Sequence, residues 1–230
     1  MPWLPTLILL LGLWLIWAGI ANWLLANPRS DTISGLTYRF IQIYSRLVHR
    51  LRVINPHNIP RERYCGPLIV VCNHTAGIDP MLIQAACPFY VRWMMAEDMK
   101  WGGLADVWSY FNIIFVDRTK PDTRALREAV RALKASEVIG VFPEGKIERP
   151  PGTLLPFQQG AGMMVAMTNA PVLPILIRNT PQADSAWASL WRRSHSEIVV
   201  GEQIRFTDAK PAAITTALEA WFNQQLHTTA

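Results

Sequence analysis

Residues 3–26, WLPTLILLLGLWLIWAGIANWLLA, contain no charged side chain. A run of this kind leaves the chain few options, because about 20 apolar residues suffice to cross a bilayer as a helix. Tryptophans at 3, 14, 17 and 23, with Asn22, suit an anchor whose rings sit at the interface. Pro5 and Gly12 weaken a straight helix, so an interfacial or re-entrant segment stays open beside a spanning one. A cleaved signal peptide fits less well: no basic residue precedes the run, and the run is longer than such a peptide needs. Positive charge follows at once, at Arg29, Arg39, Arg46, Arg50 and Arg52. That asymmetry predicts a membrane protein whose remaining chain lies on the cytoplasmic side.

The formal net charge of +5 over 230 residues suits an anionic membrane surface or an anionic substrate. It does not point to nucleic acid, since no dense basic run occurs. Cys65, Cys72 and Cys87 suggest neither a disulfide framework nor a zinc site, and no metal is expected. Between residues 30 and 52, Ile33, Leu36, Phe40, Ile43, Leu47 and Leu51 recur at helical spacing with arginines on the flank. This predicts an amphipathic helix that either packs on the protein or lies on the membrane.

From residue 67 the pattern changes. Short apolar runs (PLIVVC, FYVRWMM, IIFV, VIGVF, VLPILI, EIVVG) read as buried strands, with helical patterns at 122–136, 158–168 and 212–226. The predicted class is α/β, a mixed and largely buried sheet flanked by helices. The predicted organisation is a membrane anchor at 1–28, a basic amphipathic helix at 29–52 and a catalytic domain at 53–230. On the helix from residue 122, Arg124, Arg127, Arg131 and Lys134 share a face, either a solvated rim or a dock for an acidic partner.

The stretch VVCNHTAGIDP places His74 and Asp79 five residues apart after a strand. Gly77 offers a positive-φ bend, and Asp79-Pro80 reads as an N-cap and first residue of a helix. The bend would let the carboxylate orient the imidazole as a general base. A helix-capping aspartate beside an ordinary loop histidine accounts for the same residues. Cys72, two residues before His74, adds a Cys/His pair as a rival, against a plain buried cysteine. Two other strand ends carry polar residues, Asp117-Arg118 and Glu144-Gly145-Lys146, and ligands in open α/β sheets bind at such ends.

At these residues the chain resembles the membrane-bound glycerolipid acyltransferases of the 1-acyl-glycerol-3-phosphate acyltransferase type, over about residues 47–178. NHTAGID matches the first block of that family, FNIIFVDR resembles the second, VFPEG matches the third and APVLPILI resembles the fourth. The resemblance implies acyl transfer from acyl-CoA or acyl-carrier protein to a lysolipid hydroxyl, with no cofactor. His74 would be the base and Asp79 its orienting partner. Arg118 with Phe142, Pro143, Glu144, Gly145 and Lys146 would hold the acceptor head group. The third block departs from the family's Glu-Gly-Thr-Arg, because Ile147 stands at the arginine, so Lys146 or Arg149 is left to replace it. Gln158 likewise stands where the family often has lysine. The expected acceptor is 1-acyl-glycerol-3-phosphate, giving phosphatidic acid, with another lysophospholipid or a lyso-aminolipid as the alternative. A lipid hydrolase or a non-catalytic lipid binder is the reading of another class. No GxSxG elbow supports the first, and the presence of both His74 and Asp79 opposes the second.

Overall fold

Each apolar run after residue 67 forms a strand in the computed structural model, which describes residues 3–150, 152–183 and 185–228. Residues 1, 2, 229 and 230, the outer ends of two expected segments, lie outside the described residues. The strands are β1 (Arg52–Ile54), β2 (Leu68–Cys72), β3 (Arg92–Ala96), β4 (Ile114–Val116), β5 (Val138–Val141), β6 (Val172–Arg178) and β7 (Glu197–Val200). They form one sheet in the order β1-β7-β6-β2-β5-β3-β4. The five strands from β6 to β4 are parallel, whereas β7 runs antiparallel to β6 and carries β1 parallel to itself. The sheet is therefore mixed, as the sequence predicts.

Burial explains why these runs are continuous rather than alternating. All five β2 residues are buried: Ile69 and Val71 join one core layer, and Leu68, Val70 and Cys72 join the other. A strand covered on both faces needs apolar side chains at every position. The first layer is completed by α5 (Thr123–Lys134), α6 (Gly160–Thr168) and α7 (Pro211–Thr228). The second is completed by α3 (Asp79–Ala86), which α2 (Thr32–Leu47) covers from outside. A short α4 (Ala105–Tyr110) precedes β4.

The basic amphipathic segment is shorter than expected. Asp31 caps α2 by accepting from the Ser34 amide at 2.8 Å, and the helix ends at Leu47. Arg50 takes a left-handed φ of 44°, and Arg52 pairs with Glu197 to open β1. Leu51 kept the helical spacing, so periodicity concealed this edge strand. The direction of the helix's apolar face is the larger finding. Ile33, Leu36, Phe40, Ile43 and Leu47 are all exposed, while Ser34, Gly35, Tyr38 and Ser45 face the protein. Gly35 is required there, because a Cβ would lie 2.2 Å from the Leu24 carbonyl oxygen. The apolar stripe does not pack on the protein. α1 (Leu4–Leu25) buries no residue either, and among the described residues it alone is long and apolar enough to cross a membrane. It joins α2 only near its end, where the Arg39 guanidinium bonds the Trp23 and Ala26 carbonyls.

Candidate active site

Parallel β2, β5 and β4 end on the same edge of the sheet, and their following loops carry His74, Glu144 and Arg118. The join begins at Asn73. Its buried amide donates to the Ile177 carbonyl at 2.9 Å and accepts from the Ile177 amide at 2.7 Å. One side chain thus clamps the end of β2 to β6 and fixes the exit direction of the chain.

The turn that follows brings Asp79 back to His74, by a different device from the expected one. Asp79 is the first residue of α3, with Ile78 in the N-cap position. Its carboxylate does not cap the helix but turns back to the preceding loop. Oδ2 accepts from His74 Nδ1 at 2.9 Å, from the Thr75 amide at 2.7 Å and from the Ala76 amide at 2.8 Å. Oδ1 accepts from the Thr75 hydroxyl at 3.1 Å. Gly77 does not adopt positive φ. It is needed for closeness instead, since a Cβ would lie 2.3 Å from the Ala186 carbonyl oxygen.

This geometry sets the histidine's chemistry. A carboxylate oxygen already holding two amide donors takes Nδ1–H as a third, so Nε2 carries the free lone pair. Nε2 has no hydrogen-bond partner among the described residues. The side chain is 19% exposed, whereas the Asp79 carboxylate is fully buried. The imidazole stacks on Phe142 at 4.1 Å between centroids, and Phe142 stacks on Trp93 at 5.0 Å. A face-on stack fixes the ring plane and leaves its edge free to meet a substrate.

Glu144 braces this histidine from the neighbouring strand end. Oε1 accepts from the His74 amide at 2.7 Å and Oε2 from the Leu155 amide at 2.8 Å. Both oxygens are thus committed to backbone amides, which ties the loops after β2 and β5 together. Burial pushes Glu144 up to about 7, against the pull of those two amides, and the charges of Glu148 and Asp79 add to the rise. Glu148, which sequence reasoning did not single out, is also buried. Its amide donates to the His74 carbonyl at 2.8 Å, and burial raises its carboxyl as well.

Arg118 lies at the mouth, where its guanidinium bonds Asp98 and donates to the Gly145 carbonyl at 2.9 Å. Gly145 sits at a φ of 70°, a left-handed conformation that favours glycine in the sharp turn after Glu144. Pro143 is buried, and its carbonyl accepts from the Gln158 amide at 2.7 Å. Lys146 is exposed beyond this turn. Arg149 points to a different segment, where it donates to the Glu148 and Ala183 carbonyls, each at 2.7 Å. The structure thus brings His74, Asp79, Phe142, Glu144, Gly145 and Arg118 together, with Pro143 beneath them. The Cys/His pair is not formed: Cys72 is fully buried in the core, and burial holds its thiol well above its usual range. Asn73 and Trp93 were missed as site residues. Asn73 lies inside the first block and could have been singled out as a buried amide, whereas nothing local marks Trp93.

Residues 50–178 match the sequence model of the family described as Acyltransferase. The chain belongs to that acyltransferase family. It is 24% identical over 182 residues to the 1-acyl-sn-glycerol-3-phosphate acyltransferase of Bacillus subtilis, covering 73% of this chain and 84% of that one. It is 27% identical over 132 residues to the alpha form of the same enzyme from Homo sapiens, covering 56% of this chain and 45% of that one. The chain thus spans about half the length of the mammalian relatives it matches. A solved structure, the 1-acyl-sn-glycerophosphate (LPA) acyltransferase PlsC of Thermotoga maritima, shares the fold with a TM-score of 0.66 and 22% identity. That match covers 86% of this chain and 82% of the other.

Proposed function

We propose that this acyltransferase moves a fatty acyl group from acyl-CoA or acyl-carrier protein to the free hydroxyl of 1-acyl-glycerol-3-phosphate, giving phosphatidic acid. The observation that carries the proposal is the buried Asp79 carboxylate on His74 Nδ1, which leaves Nε2 bare at the sheet's edge. Nε2 takes the proton of the acceptor hydroxyl as its oxygen attacks the thioester carbonyl. Asp79 steadies the imidazolium that forms. Collapse of the tetrahedral species breaks the C–S bond, and the imidazolium returns the proton to the departing thiolate. No group outside the chain and its two substrates enters this sequence. Arg118 is held by Asp98 and the Gly145 carbonyl, and it offers its fork to a phosphate oxygen pair by giving up the exposed Asp98, while Lys146 adds charge at the same turn. The bilayer is the source of the acceptor, and the catalytic domain faces the cytoplasm behind α1.

A second acceptor is favoured by one specific observation. Ile147 stands at the position of an expected cation, and the guanidinium of Arg149 is taken up by two carbonyls. A lysophospholipid with a larger head group, or a lyso-aminolipid, would ask for less positive charge. The deciding experiment is purified full-length protein in detergent with one acyl-CoA and a panel of lysolipids. 1-Acyl-glycerol-3-phosphate should give the highest kcat/KM. Preference for another acceptor would transfer the proposal to that lipid, and release of free fatty acid without transfer would mark a hydrolase.

A further inference from the structure

The chain has ten tryptophans. Four lie along the N-terminal apolar run, Trp93 backs the Phe142 stack, and Trp221 packs against the first core layer. The other four, Trp101, Trp108, Trp187 and Trp191, lie on two connections, β3–β4 (which includes α4) and β6–β7, and none belongs to either core layer. Trp101 is 66% exposed, Trp187 40% and Trp191 83%. The two connections meet at one ring pair: Trp108 lies 6.3 Å from Trp187 between centroids, and its indole N–H donates to the Trp101 carbonyl at 3.1 Å.

Both loops also build the site. Ala186, beside Trp187, packs on Gly77 in the turn between His74 and Asp79. Asp98, three residues before Trp101, holds Arg118. The same two loops touch α2 at its two ends. Tyr110, at the end of α4, bonds Asp31 at 2.6 Å and Ser34 at 2.9 Å, and the Tyr44 hydroxyl donates to the Leu190 carbonyl. Both tryptophan loops are therefore tied to α2, one near each end of the helix, whose apolar stripe is itself uncovered.

From this exposure, and from the tie to α2, we infer that Trp101, Trp187 and Trp191 form a second membrane contact, separate from the N-terminal apolar helix, which seats the mouth of the site in the bilayer's interfacial layer. An indole is suited to that depth, with an apolar face for acyl chains and an N–H for the wetter side. Cations flank the rings: Lys100 precedes Trp101, and Arg192 and Arg193 follow Trp191. All three are exposed, where anionic head groups would meet them. Among the described residues, the acidic neighbours are Glu97 and Asp106, with Asp98 paired to Arg118. A contact at this point lets a lysolipid enter from the bilayer without passing through water.

The test uses full-length protein in anionic vesicles and compares it with Trp101→Phe/Trp191→Phe. Both positions are exposed, so the fold tolerates the change. Vesicles containing brominated lipid should quench the emission that the two indoles contribute, and aqueous iodide should not. Quenching of that emission by iodide, with none by brominated lipid, overturns the inference; so does protection by acyl-CoA in the absence of vesicles, which would assign the rings to the donor. This readout needs no turnover, so it stands apart from failure of the proposed reaction. Where transfer is measurable, Trp101→Ser/Trp191→Ser should raise KM about tenfold for an acceptor in vesicles, the size expected for losing partial burial of two large apolar rings. It should leave a short-chain acceptor free in solution unchanged. An equal effect on both acceptors, or on neither, counts against a bilayer contact.

Discussion

Asp79 carries four hydrogen bonds on two oxygens, and an asparagine there offers a single acceptor oxygen. Asp79→Asn removes the negative charge behind the imidazolium and turns an NH2 toward groups that are themselves donors. In a Ser-His-Asp triad the corresponding change lowers the rate ~10⁴-fold. We expect kcat to fall at least about a hundredfold here, within the range of general-base contributions. Because Asp79 organises its loop rather than caps α3, the Tm should fall too, unlike that of a simple cap variant. Near-normal turnover in the asparagine variant would leave His74 without a working partner. Glu144 makes a prediction in pH. Its folded value of about 7 lies above the ordinary 4.5, so the folded state binds the proton more tightly than the unfolded chain. The stability from that proton is complete below about 4.5 and is lost as pH rises to about 7. Glu148 acts in the same direction, so it remains as background. Glu144's contribution to thermal stability should therefore decline over that window, against an opposing rise from His49, whose burial lowers its pKa, and the difference in Tm between wild type and Glu144→Gln should shrink as pH rises. Parallel profiles would mean that Glu144 does not titrate there. The sequence made His74 and Asp79 legible as a pair, because their spacing around a glycine is local. It could not show which group the carboxylate serves, because that depends on the path of the intervening turn.

At the scale of elements, the site is a set of strand ends held in register. Asn73 ties β2 to β6 through both backbone groups of Ile177. Asn73→Ala leaves a buried N–H and C=O unpaired, at a cost of roughly 2–5 kcal/mol. Thermal unfolding should show a Tm lower by about 5–15 °C, the shift expected for a domain of this size. A change within about 2 °C would show that the two strands hold their register without the clamp. Arg118, at the end of β4, reaches the loop after β5 through the Gly145 carbonyl. Arg118→Ala should raise KM for the acceptor about ten- to a hundredfold, as loss of a charge-assisted contact does, and affect the acyl donor less. Steady-state kinetics with each substrate varied in turn will separate the two. Equal effects would make Arg118 a loop tie alone. Six of the seven strands and the three longer domain helices were legible, since uninterrupted apolar runs and 3.6-residue spacing are local properties. β1 was not, because three half-exposed residues at a sheet edge carry no pattern of their own.

For the whole molecule, the question is which way it sits. α1 and the outer face of α2 leave apolar side chains uncovered, and the positive charge follows α1 rather than preceding it. Protease added to intact spheroplasts should spare the catalytic domain and digest it once the membrane is opened. Cleavage in intact cells would reverse the orientation. The sequence by itself determined the apolar N-terminal helix, the α/β class and the nearness of His74 and Asp79 at a strand end, because each is written within a few turns of chain. Tertiary structure alone decided the antiparallel turn-over at β7, the outward face of α2, and the clamp and brace on the histidine loop. Those depend on groups far apart in the chain: Asn73 meets Ile177 across 104 positions, and His74 meets Glu144 across 70. No local pattern specifies such a meeting, since it is set by the order in which the strands lie side by side.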